Sequence, residues 1–392
     1  MNNKIPTISV LIPDAEDWLT VKVLRCLGQS SKVKAHLLSR KRKPLSRYSR
    51  FCASFHYNNS QNDDEWIDEI NKLITKLKIN LILPVKVKGV ELISKNRARI
   101  SESARIPPLA EPEKIALTND KWAFHNFLLQ HDLPSIPTIY AGNSGEDINV
   151  QEMDSVEYPA LLKPVSEAGG FGIVKVEKAE DLKEAWRDKR IMKNHEYIFQ
   201  SYIPADHFSL SVCSRDGGIL AYTIYHSLFQ PNPYRIGVLQ EFKNHDAILN
   251  IGRKLLSELE WNGVANIDFL VDNRDKSVKI LEFNPRFWQS LLGSASAGVN
   301  FPLLYCLDAM GATTTFRKRH ITFANTTMYT KTLLSLLRGK RSTTRIRWRE
   351  SGLRYSVADP LPELVEIIHK RANIFRSLSN GKRHIQTNNL FI

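Results

Sequence analysis

The chain has 392 residues, of which 42% are hydrophobic and 24% charged, with a formal net charge of +14. This length is enough for two or three domains, and the composition is that of a globular protein rather than a disordered or fibrous one. The four cysteines are scattered without a C-x-x-C pair, which argues against a zinc site or a disulfide framework and fits a reducing cytosol.

The N-terminal third predicts a small parallel α/β unit, because short apolar strands alternate with helices. Strands are predicted at residues 7–13, 33–39 and 79–84, and helices at residues 17–28 and 64–78. The N-terminal sequence MNNKIPTISVLIPD lacks a basic region followed by an apolar core, so we expect no signal peptide. The first strand is not followed by a glycine fingerprint, so we expect no dinucleotide there. No apolar run in the chain approaches the ~18 residues of a membrane-spanning helix.

Residues 40–50, RKRKPLSRYSR, contain six Lys or Arg residues and follow the second predicted strand. Loops at this end of an open α/β sheet often hold ligands, so the segment is a candidate for gripping an anionic substrate. The alternative is a solvated basic loop, and the sequence alone favours that alternative.

The central region predicts a helix over 112–133 and then a smaller sheet over 158–213. Lys121 falls in the first turns of this helix, with Thr118 or Asn119 as its N-cap. Lys163 ends the apolar strand 160–164 and precedes the loop SEAGGFG, whose glycines allow close approach to phosphate oxygens. The loop is neither G-x-G-x-x-G nor a Walker A sequence, which excludes a Rossmann or P-loop interpretation. Taken alone, it is also compatible with an ordinary hairpin turn.

Helices are predicted over 179–189 and 244–260, and the second of them leads into a hairpin. Asp268 lies in VANIDFLVD and Glu282 in VKILEFNPR, on either side of the turn-rich NRDK. Pairing about a centre near Asp275 sets the two carboxylates opposite each other, which costs stability unless a cation lies between them. Oxygen ligands on rigid strands suit Mg²⁺ held jointly with phosphates.

Glu282, Asn284 and Arg286 are spaced i, i+2 and i+4, which predicts that their side chains leave one face of the strand. Pro285 removes a ladder donor and predicts that the strand ends nearby. A carboxylate, an amide oxygen and a guanidinium together fit a metal–polyphosphate complex. The alternative is a solvated polar face on an edge hairpin.

The C-terminal residues 311–392 contain sixteen Lys and Arg against four Asp and Glu, a net charge of +12. With Trp348, Tyr355 and Phe375 interspersed, this region is a candidate for contact with nucleic acid, an anionic membrane or an acidic partner. An amphipathic helix is predicted to be capped at Asp359, and packing on the protein is favoured over lying on a membrane. Its apolar positions are 361, 364, 365, 368, 372 and 375.

Asp268 and the run Glu282-x-Asn284-x-Arg286 resemble the metal-binding signature of the ATP-grasp superfamily. Lys121, Lys163, the SEAGGFG loop and the segment EYIFQSYIPADHFSLSV precede it in the order typical of that family. The resemblance covers about residues 107–311. Within the superfamily the chain most resembles the predicted carboxylate–amine ligases and the carbamoyl-phosphate-synthase-like group.

The resemblance implies an α/β and α+β architecture in three parts. Residues 1–110 resemble a small parallel pre-ATP-grasp domain, and 111–310 an ATP-grasp fold of two α+β subdomains with a lid at about 125–200. Residues 311–392 are then a basic C-terminal extension.

The resemblance also implies ATP and Mg²⁺ as cofactors, with two ions expected and Mn²⁺ as a substitute. Metal ligation falls to Asp268, Glu282 and Asn284, and a catalytic role to Arg286 and Lys163, with Arg235 as a weaker candidate for the substrate carboxylate. The residues given a nucleotide-binding role are Lys121, Lys163, Ser166, Gly169, Gly170, Gly172, Gln200, Ser201, Tyr202, Ile203 and His207. Two positions depart from the pattern, because many relatives have Glu where His207 stands and an acidic residue where Ser201 stands.

The implied activity is ATP-dependent ligation of a small-molecule carboxylate to an amine, with release of ADP and phosphate. One alternative is a carboxyphosphate- or carbamoyl-phosphate-forming enzyme. Another is a basic module for nucleic acid or a membrane surface, built on a vestigial nucleotide fold. We expect a cytoplasmic protein, peripheral to the inner membrane through its basic region, and a homodimer at the level of the family. Nucleic acid is not the expected partner.

Overall fold

The computed structural model describes residues 7–146, 148, 153, 155–167, 169–231, 237–312, 315–330 and 346–379, with side chains described as far as residue 372. The α-helices are α1 Trp18–Leu27, α2 Asp63–Leu77, α3 Val87–Lys95, α4 Pro112–Asn119, α5 Lys121–Gln130, α6 Leu182–Trp186, α7 Asp246–Glu258, α8 Leu291–Ser296, α9 Phe301–Ala309, α10 Leu353–Ala358 and α11 Leu361–Ser379. The strands are β1 Ile8–Ile12, β2 Val33–Ser39, β3 Cys52–Tyr57, β4 Leu81–Ile82, β5 Thr138–Asn143, β6 Ala160–Pro164, β7 Val174–Val176, β8 Glu196–Ser201, β9 Ala205–Arg215, β10 Gly218–Phe229, β11 Leu239–Phe242, β12 Gly263–Asp272, β13 Val278–Asn284 and β14 Ile321–Ala324. Among the described residues, no helix has both the length and the apolar character needed to cross a bilayer.

The chain divides into two compact units. The first contains Met1–Leu109, Val238–Phe242 and Arg286–Ile392, and the second contains Ala110–Gly237 and Lys243–Pro285. The C-terminal region therefore shares a unit with the N-terminal region. The three-part division expected from the sequence stays a prediction.

The first unit is built on a four-stranded sheet in the order β3-β2-β1-β4, in which neighbouring strands run parallel. The parallel α/β unit predicted from the sequence is thus confirmed, while β3 was not predicted. The strand order reverses between β1 and β4, as in doubly wound sheets. A short antiparallel pair, β11 with β14, belongs to the same unit.

The basic segment 40–50 is held by aromatic side chains of the first unit. The guanidinium of Arg40 lies over the Trp66 ring at 4.1 Å, and that of Arg47 over the Phe55 ring at 4.9 Å. Arg40 also donates to the Ser60 carbonyl at 2.9 Å. Stacking on aromatic faces is a structural use of arginine, so part of this segment contributes to the fold of the first unit.

The second unit contains two antiparallel arrays, with β5-β8-β6-β7 in one and β13-β12-β9-β10 in the other. The single helix predicted over 112–133 is wrong, because α4 ends at Asn119 and α5 begins at Lys121. Asp120 is the N-cap between them and accepts from the Ala123 N–H at 2.8 Å, so the predicted cap at Thr118 or Asn119 is also wrong. A side-chain acceptor at this position satisfies a free N–H at the start of the helix. The helix predicted over 179–189 is shorter, with α6 ending at Trp186.

Asp359 does not cap α11 as predicted. Its carboxylate is fully buried and accepts from Arg25 Nε at 3.3 Å, Ser49 Oγ at 2.8 Å and the Arg50 N–H at 2.8 Å. A buried carboxylate needs such partners to offset its desolvation. Asp359 therefore ties the start of the C-terminal helix to the N-terminal part of the first unit.

The apolar face predicted to pack on the protein is mostly exposed over its described part, with Val365 half-buried. Leu361, Leu364 and Ile368 have exposed fractions of 53, 51 and 63%. Tyr355, which was grouped with the basic module, is buried instead, and its hydroxyl contacts Ser296 Oγ at 3.2 Å. Phe375 lies beyond the described side chains.

Candidate active site

The two acidic residues of the predicted hairpin do face each other. Strands β12 and β13 pair antiparallel, with Asp268 opposite Glu282 and Asn266 opposite Asn284. The pairing predicted from the sequence is confirmed. Residues directly opposite on antiparallel strands share a face of the sheet, so two carboxylates and two amides form one polar surface.

A bulge in the hairpin produces this register. Near the turn, Val271 pairs with Val278 and Phe269 with Ile280, and the register then shifts by one residue before Asp268 meets Glu282. Without the shift, Asp268 would face the apolar Leu281. A bulge inserts an unpaired residue and redirects the side chains beyond it. The carboxylate pair therefore depends on the bulge as well as on the alternation that the sequence displayed.

The carboxylate of Asp268 is oriented by neutral side chains on three strands. Its Oδ1 accepts from Ser209 Oγ at 2.5 Å and from Asn266 Nδ2 at 3.0 Å, and its Oδ2 accepts from Asn284 Nδ2 at 3.3 Å. Ser211 Oγ donates in turn to Asn266 Oδ1 at 2.9 Å. Such contacts hold a ligand in one orientation before any metal binds.

Ser209, Ser211 and Asn266 were not identified from the sequence. The signal that points to them is period-2 spacing. Ser209 and Ser211 alternate along β9 and lie opposite Asp268 and Asn266.

The donor chemistry of this face fits Mg²⁺. Asp268, Glu282 and Asn284 offer hard oxygen atoms on rigid antiparallel strands, and Mg²⁺ prefers one or two carboxylates completed by water and phosphate. Within the described ranges, no three His, Cys, Asp or Glu side chains converge as a metal site of their own. A metal on this face would therefore be completed by water or by a bound phosphate compound. The metal roles of the three residues stay a prediction.

Lys163 is a buried lysine on β6, and its ammonium group donates to Gln200 Oε1 at 2.7 Å. Gln200 is held in place because its Nε2 donates to Thr138 Oγ1 at 2.9 Å. Burial lowers the pKa of Lys163 to about 8, with the negative charge of Glu282 opposing the shift and the positive charge of Lys121 adding to it. Charge coupling between Lys163, Lys121 and Glu282 indicates that the structure brings these three predicted residues together.

Lys121 is attached to the start of the glycine loop. Its Nζ donates to the Glu167 carbonyl at 2.5 Å, and its backbone N–H donates to the Val165 carbonyl at 3.0 Å. Ser166 lies between these two acceptors and is exposed. The predicted phosphate-binding lysine and the predicted phosphate-binding loop therefore lie side by side.

The glycine loop connects the antiparallel strands β6 and β7, in which Leu162 pairs with Val174. Gly169, Gly170 and Gly172 all have φ near +75°, at +78°, +77° and +73°. Residues with a Cβ rarely adopt this conformation. At Gly172 an added Cβ would also lie 2.9 Å from the Tyr197 hydroxyl. The loop is a hairpin connection, as the alternative interpretation held, but its backbone geometry requires glycine.

The predicted linker follows β8 and includes Ser201, Tyr202 and Ile203. The Tyr202 N–H is already used, because it donates to the Pro159 carbonyl at 2.8 Å. Ile203 is buried against Ile136 and Leu270, and its N–H has no hydrogen-bond acceptor among the described residues. Buried backbone groups are nearly always paired, so the Ile203 N–H is a candidate donor to a ligand.

His207 lies on β9 opposite Leu270, two residues before Ser209 and on the same face. Burial, and then the positive charge of Lys163, lower the pKa of His207. The ring is therefore neutral at pH 7 and can donate one hydrogen bond and accept another. Ser201, the other departure from the family pattern, is buried, and its Oγ has no hydrogen-bond partner among the described residues.

Arg286 lies after the end of β13 at Asn284 and belongs to the first unit. The strand alternation that predicted a shared face with Glu282 therefore does not extend to it. Its guanidinium donates to the Phe287 carbonyl at 2.8 Å. Burial raises the pKa of Asp17, but the hydrogen bond and charge of Lys86 and the charge of Arg286 hold it below its usual range. The catalytic role of Arg286 stays a prediction, and Arg235 lies outside the described residues.

A separate cavity of about 600 Å³ lies in the first unit, and its lining is mostly basic. The lining residues are Arg317, Lys318, Arg319, His320, Ile321, Arg347 and Glu350. None of the predicted site residues lines it. Part of the excess positive charge of the C-terminal region therefore lies around this cavity.

Comparison with known proteins gives one family-model match over part of the chain and a consistent fold. Residues 118–290 match the family model described as the ATP-grasp domain. The arginine-specific carbamoyl phosphate synthase large chain of Halalkalibacterium halodurans is 22% identical over 199 residues, which cover 49% of this chain and 18% of that protein. The chain thus spans less than a fifth of the length of this curated relative.

Among solved structures, the ADP complex of N5-carboxyaminoimidazole synthetase from Staphylococcus aureus has a TM-score of 0.66 at 14% identity, covering 86% of this chain and 88% of that one. The biotin carboxylase domain of 2-oxoglutarate carboxylase from Hydrogenobacter thermophilus, solved as a dimer with MgADP and bicarbonate, has a TM-score of 0.61 at 14% identity and covers 79 and 71%. The L-amino acid ligase of Bacillus licheniformis has a TM-score of 0.59 at 13% identity and covers 78 and 74%. These likenesses establish the fold.

Proposed function

We propose that this chain, which carries an ATP-grasp domain over residues 118–290, is an ATP-dependent carboxylate–amine ligase. The observation that carries the proposal is the pairing of Asp268 with Glu282 on rigid strands, with the buried Lys163 coupled electrostatically to Glu282. Two opposed carboxylates and a lysine match a metal–polyphosphate ligand, which offers both cations and anionic oxygens. The solved structures described above include two that hold ADP, one of them with Mg²⁺.

The reaction would proceed in two steps. The substrate carboxylate attacks the γ-phosphorus of ATP, and ADP leaves as an acylphosphate forms. The amine then attacks the acyl carbon and displaces phosphate, giving an amide and losing a proton. Positioning and charge neutralisation are the main tasks of the protein in phosphoryl transfer.

Within that scheme, Lys121 and Lys163 neutralise the α- and β-phosphates, and the glycine loop covers them. Asp268, Glu282 and Asn284 would hold Mg²⁺, which would supply positive charge at the phosphate oxygens, and Glu282 is the residue that two ions would share. Mn²⁺ is expected to substitute, since it accepts the same oxygen donors. Arg286 stabilises the charge of the transferring phosphoryl group.

The linker is proposed to hold the adenine base. The buried Ile203 N–H points to this, because it has no acceptor among the described residues while the neighbouring Tyr202 N–H is occupied. A backbone N–H at this position can donate a hydrogen bond to a ring nitrogen of adenine, whichever side chain the residue has. Ser201 and His207 then lie within the same stretch and shape the ribose and base contacts.

The direct test is release of ADP and phosphate by the purified chain with Mg-ATP and pooled amino acids. Glu282→Ala is run beside the wild type, and Asp275→Ala serves as a matched control, because Asp275 lies in the turn of the same hairpin and is exposed. Turnover that depends on a pool, disappears in Glu282→Ala and persists in Asp275→Ala supports a ligase. Absence of Mg-ATP binding in the wild type contradicts the proposal.

Formation of carboxyphosphate or carbamoyl phosphate is a second candidate, favoured by the similarity to a carbamoyl phosphate synthase large chain. The two candidates differ in the acid that is phosphorylated. Bicarbonate alone should stimulate ADP release in the second case, whereas the ligase requires an organic carboxylate. Comparing the two acids in the same assay separates them.

We also propose that the enzyme is cytoplasmic, binds peripherally to the inner membrane and forms a homodimer. The net charge of +12 over residues 311–392 supports attraction to anionic lipid. The relative solved as a dimer supports the oligomeric proposal. Fractionation of cells expressing the full chain tests the location, and sedimentation velocity tests the dimer.

A further inference from the structure

The C-terminal helices of the first unit leave a group of large apolar side chains exposed. Val357 at the end of α10 is 60% exposed, and on α11 Leu361, Leu364, Ile367 and Ile368 are 53, 51, 47 and 63% exposed. Single exposed apolar side chains are ordinary, but a cluster within twelve residues marks an interaction surface.

The exposed large apolar residues of α11 lie on one side of the helix. Leu361, Leu364 and Ile368 follow the spacing i, i+3 and i+7, which places them on a single stripe, and Ile367 lies at its edge. In the first turn, the other side of the helix faces the protein. There Pro362 is buried, and Glu363 accepts from Arg25 Nη2 at 2.6 Å and from Ser356 Oγ at 2.6 Å.

This arrangement is the reverse of the usual one, in which a surface helix buries its apolar stripe. Here an ion pair and a hydroxyl attach α11 to the first unit, and the fully buried Asp359 fixes the turn before it. The helix is therefore held in place by polar contacts while its apolar stripe remains available to an external partner.

The charges on the next turn indicate which partner. Lys370 lies beside the stripe, is exposed and is paired with Glu366 at 2.9 Å, and the exposed Arg371 continues the line of the stripe at i+7 from Leu364. The whole region from residue 311 has a net charge of +12. An apolar stripe flanked by cations is typical of helices that lie in the interface of an anionic bilayer. A second copy of this chain would bring two strongly basic regions together.

We propose that Val357, Leu361, Leu364, Ile367 and Ile368 form a bilayer-insertion face that binds membranes containing anionic phospholipid. The inference rests on the peripheral location proposed above and names the surface that would contact the membrane. It requires no part of the ligase site, so ATP turnover and membrane binding should be separable.

The test is co-sedimentation of the full chain with vesicles of phosphatidylcholine alone and of an equal mixture with phosphatidylglycerol. We expect binding to the mixed vesicles that weakens as salt is added. The double variant Leu364→Ser/Ile368→Ser should bind at least about tenfold more weakly, because binding follows the buried apolar area. The matched control is Leu220→Ser/Leu228→Ser, which removes two leucines of 41 and 44% exposure from the second unit and should bind as the wild type does.

Charge is tested separately with Lys370→Gln/Arg371→Gln, which should weaken binding to mixed vesicles by roughly tenfold and leave residual binding to neutral vesicles unchanged. Circular dichroism and ATP turnover of each variant verify the fold.

Failure of the wild type to bind either vesicle would overturn the proposal. Equal binding by wild type and Leu364→Ser/Ile368→Ser would also overturn it. If the wild type nevertheless fractionates with membranes in that case, the peripheral location is retained but another surface must bind the membrane. A shift from dimer to monomer in the same variant, without vesicle binding by the wild type, would instead identify the face as an interface between copies.

Discussion

Two sets of carboxylates in this molecule have different surroundings, and the difference indicates which set stabilises the fold and which serves the proposed chemistry. Asp359, in the first unit, is fully buried and bonded to the guanidinium of Arg25. Asp268 and Glu282, in the second unit, are partly exposed and lie opposite each other on adjacent strands. A buried carboxylate matched by a cation contributes to folding, whereas two opposed carboxylates are a cost that a bound cation removes. The first set should therefore govern stability and the second activity.

Glu282→Gln should produce the largest effect and make the two properties move in opposite directions. Loss of the proposed metal ligand, worth several kcal/mol, should lower kcat/KM by about 10³-fold. Removing one of two like charges should stabilise the free protein by up to about 1 kcal/mol. Steady-state kinetics and urea unfolding of the same preparation measure both. A variant that is less stable and fully active would reverse the assignment of this pair.

Asp359→Ala should do the opposite. Removing the Asp359 carboxylate leaves the buried Arg25 with Glu363 as its described ion-pair partner and deprives Ser49 Oγ and the Arg50 N–H of their acceptor, and the expected loss of stability is about 3–5 kcal/mol. ATP turnover at a temperature where the variant is folded should be unchanged, because the described contacts of Asp359 lie among Arg25, Ser49 and Arg50. The conservative Asp359→Asn, which keeps one of the two acceptor oxygens, should lose less. Unchanged unfolding of both variants would contradict the structural role.

The contrast between these sites was only partly visible in the sequence. The alternation of VANIDFLVD and VKILEFNPR was sufficient to pair Asp268 with Glu282. The bulge that completes the register was not visible; it leaves Leu281 unpaired, and this residue packs against the Ile136, Ile203 and Leu270 cluster. Local patterns report the face on which a residue lies, and long-range packing decides the register.

The same limit explains the errors at Asp120 and Asp359. Both aspartates were compatible with a helix cap, and neither local sequence shows which partner each carboxylate finds. Asp120 caps α5 in place of Thr118 or Asn119, whereas Asp359 bonds to residues more than 300 positions away in the sequence. The apolar stripe of α11 was recognised correctly as a helix face, but periodicity does not indicate whether such a face is covered.

Lys163 extends the comparison to a buried, positively charged residue of the candidate site. Burial lowers its pKa to about 8, so the free enzyme loses this positive charge as the pH rises through 8. We expect the affinity for Mg-ATP to fall by about tenfold between pH 7 and 9, with proton uptake on binding above pH 8, because the phosphates favour the charged lysine. Calorimetry in buffers of different ionisation enthalpy measures this uptake. Lys163→Arg keeps its charge and should abolish the pH dependence, and persistence of that dependence would assign it to another group.

Asp14 provides the most specific test, because it is a buried carboxylate held by neutral donors. Burial raises its pKa to about 7, although hydrogen bonds from the Lys86 and Val85 N–H groups oppose the shift. The folded state therefore binds a proton between about pH 4 and 7 that the unfolded state has lost, and the stability that this proton contributes disappears as the pH rises through 7. Asp14→Asn should remove a slope of about 1.4 kcal/mol per pH unit from the free energy of unfolding between about pH 4 and 7, measured by urea titration at several pH values. Asp359→Asn at the same pH values serves as the comparison, because its carboxylate is paired with a guanidinium and should leave the slope contributed by Asp14 in place. A wild-type unfolding free energy that rises from pH 5 to 7, together with an identical slope in Asp14→Asn, would show that the two backbone donors keep this carboxylate ionised.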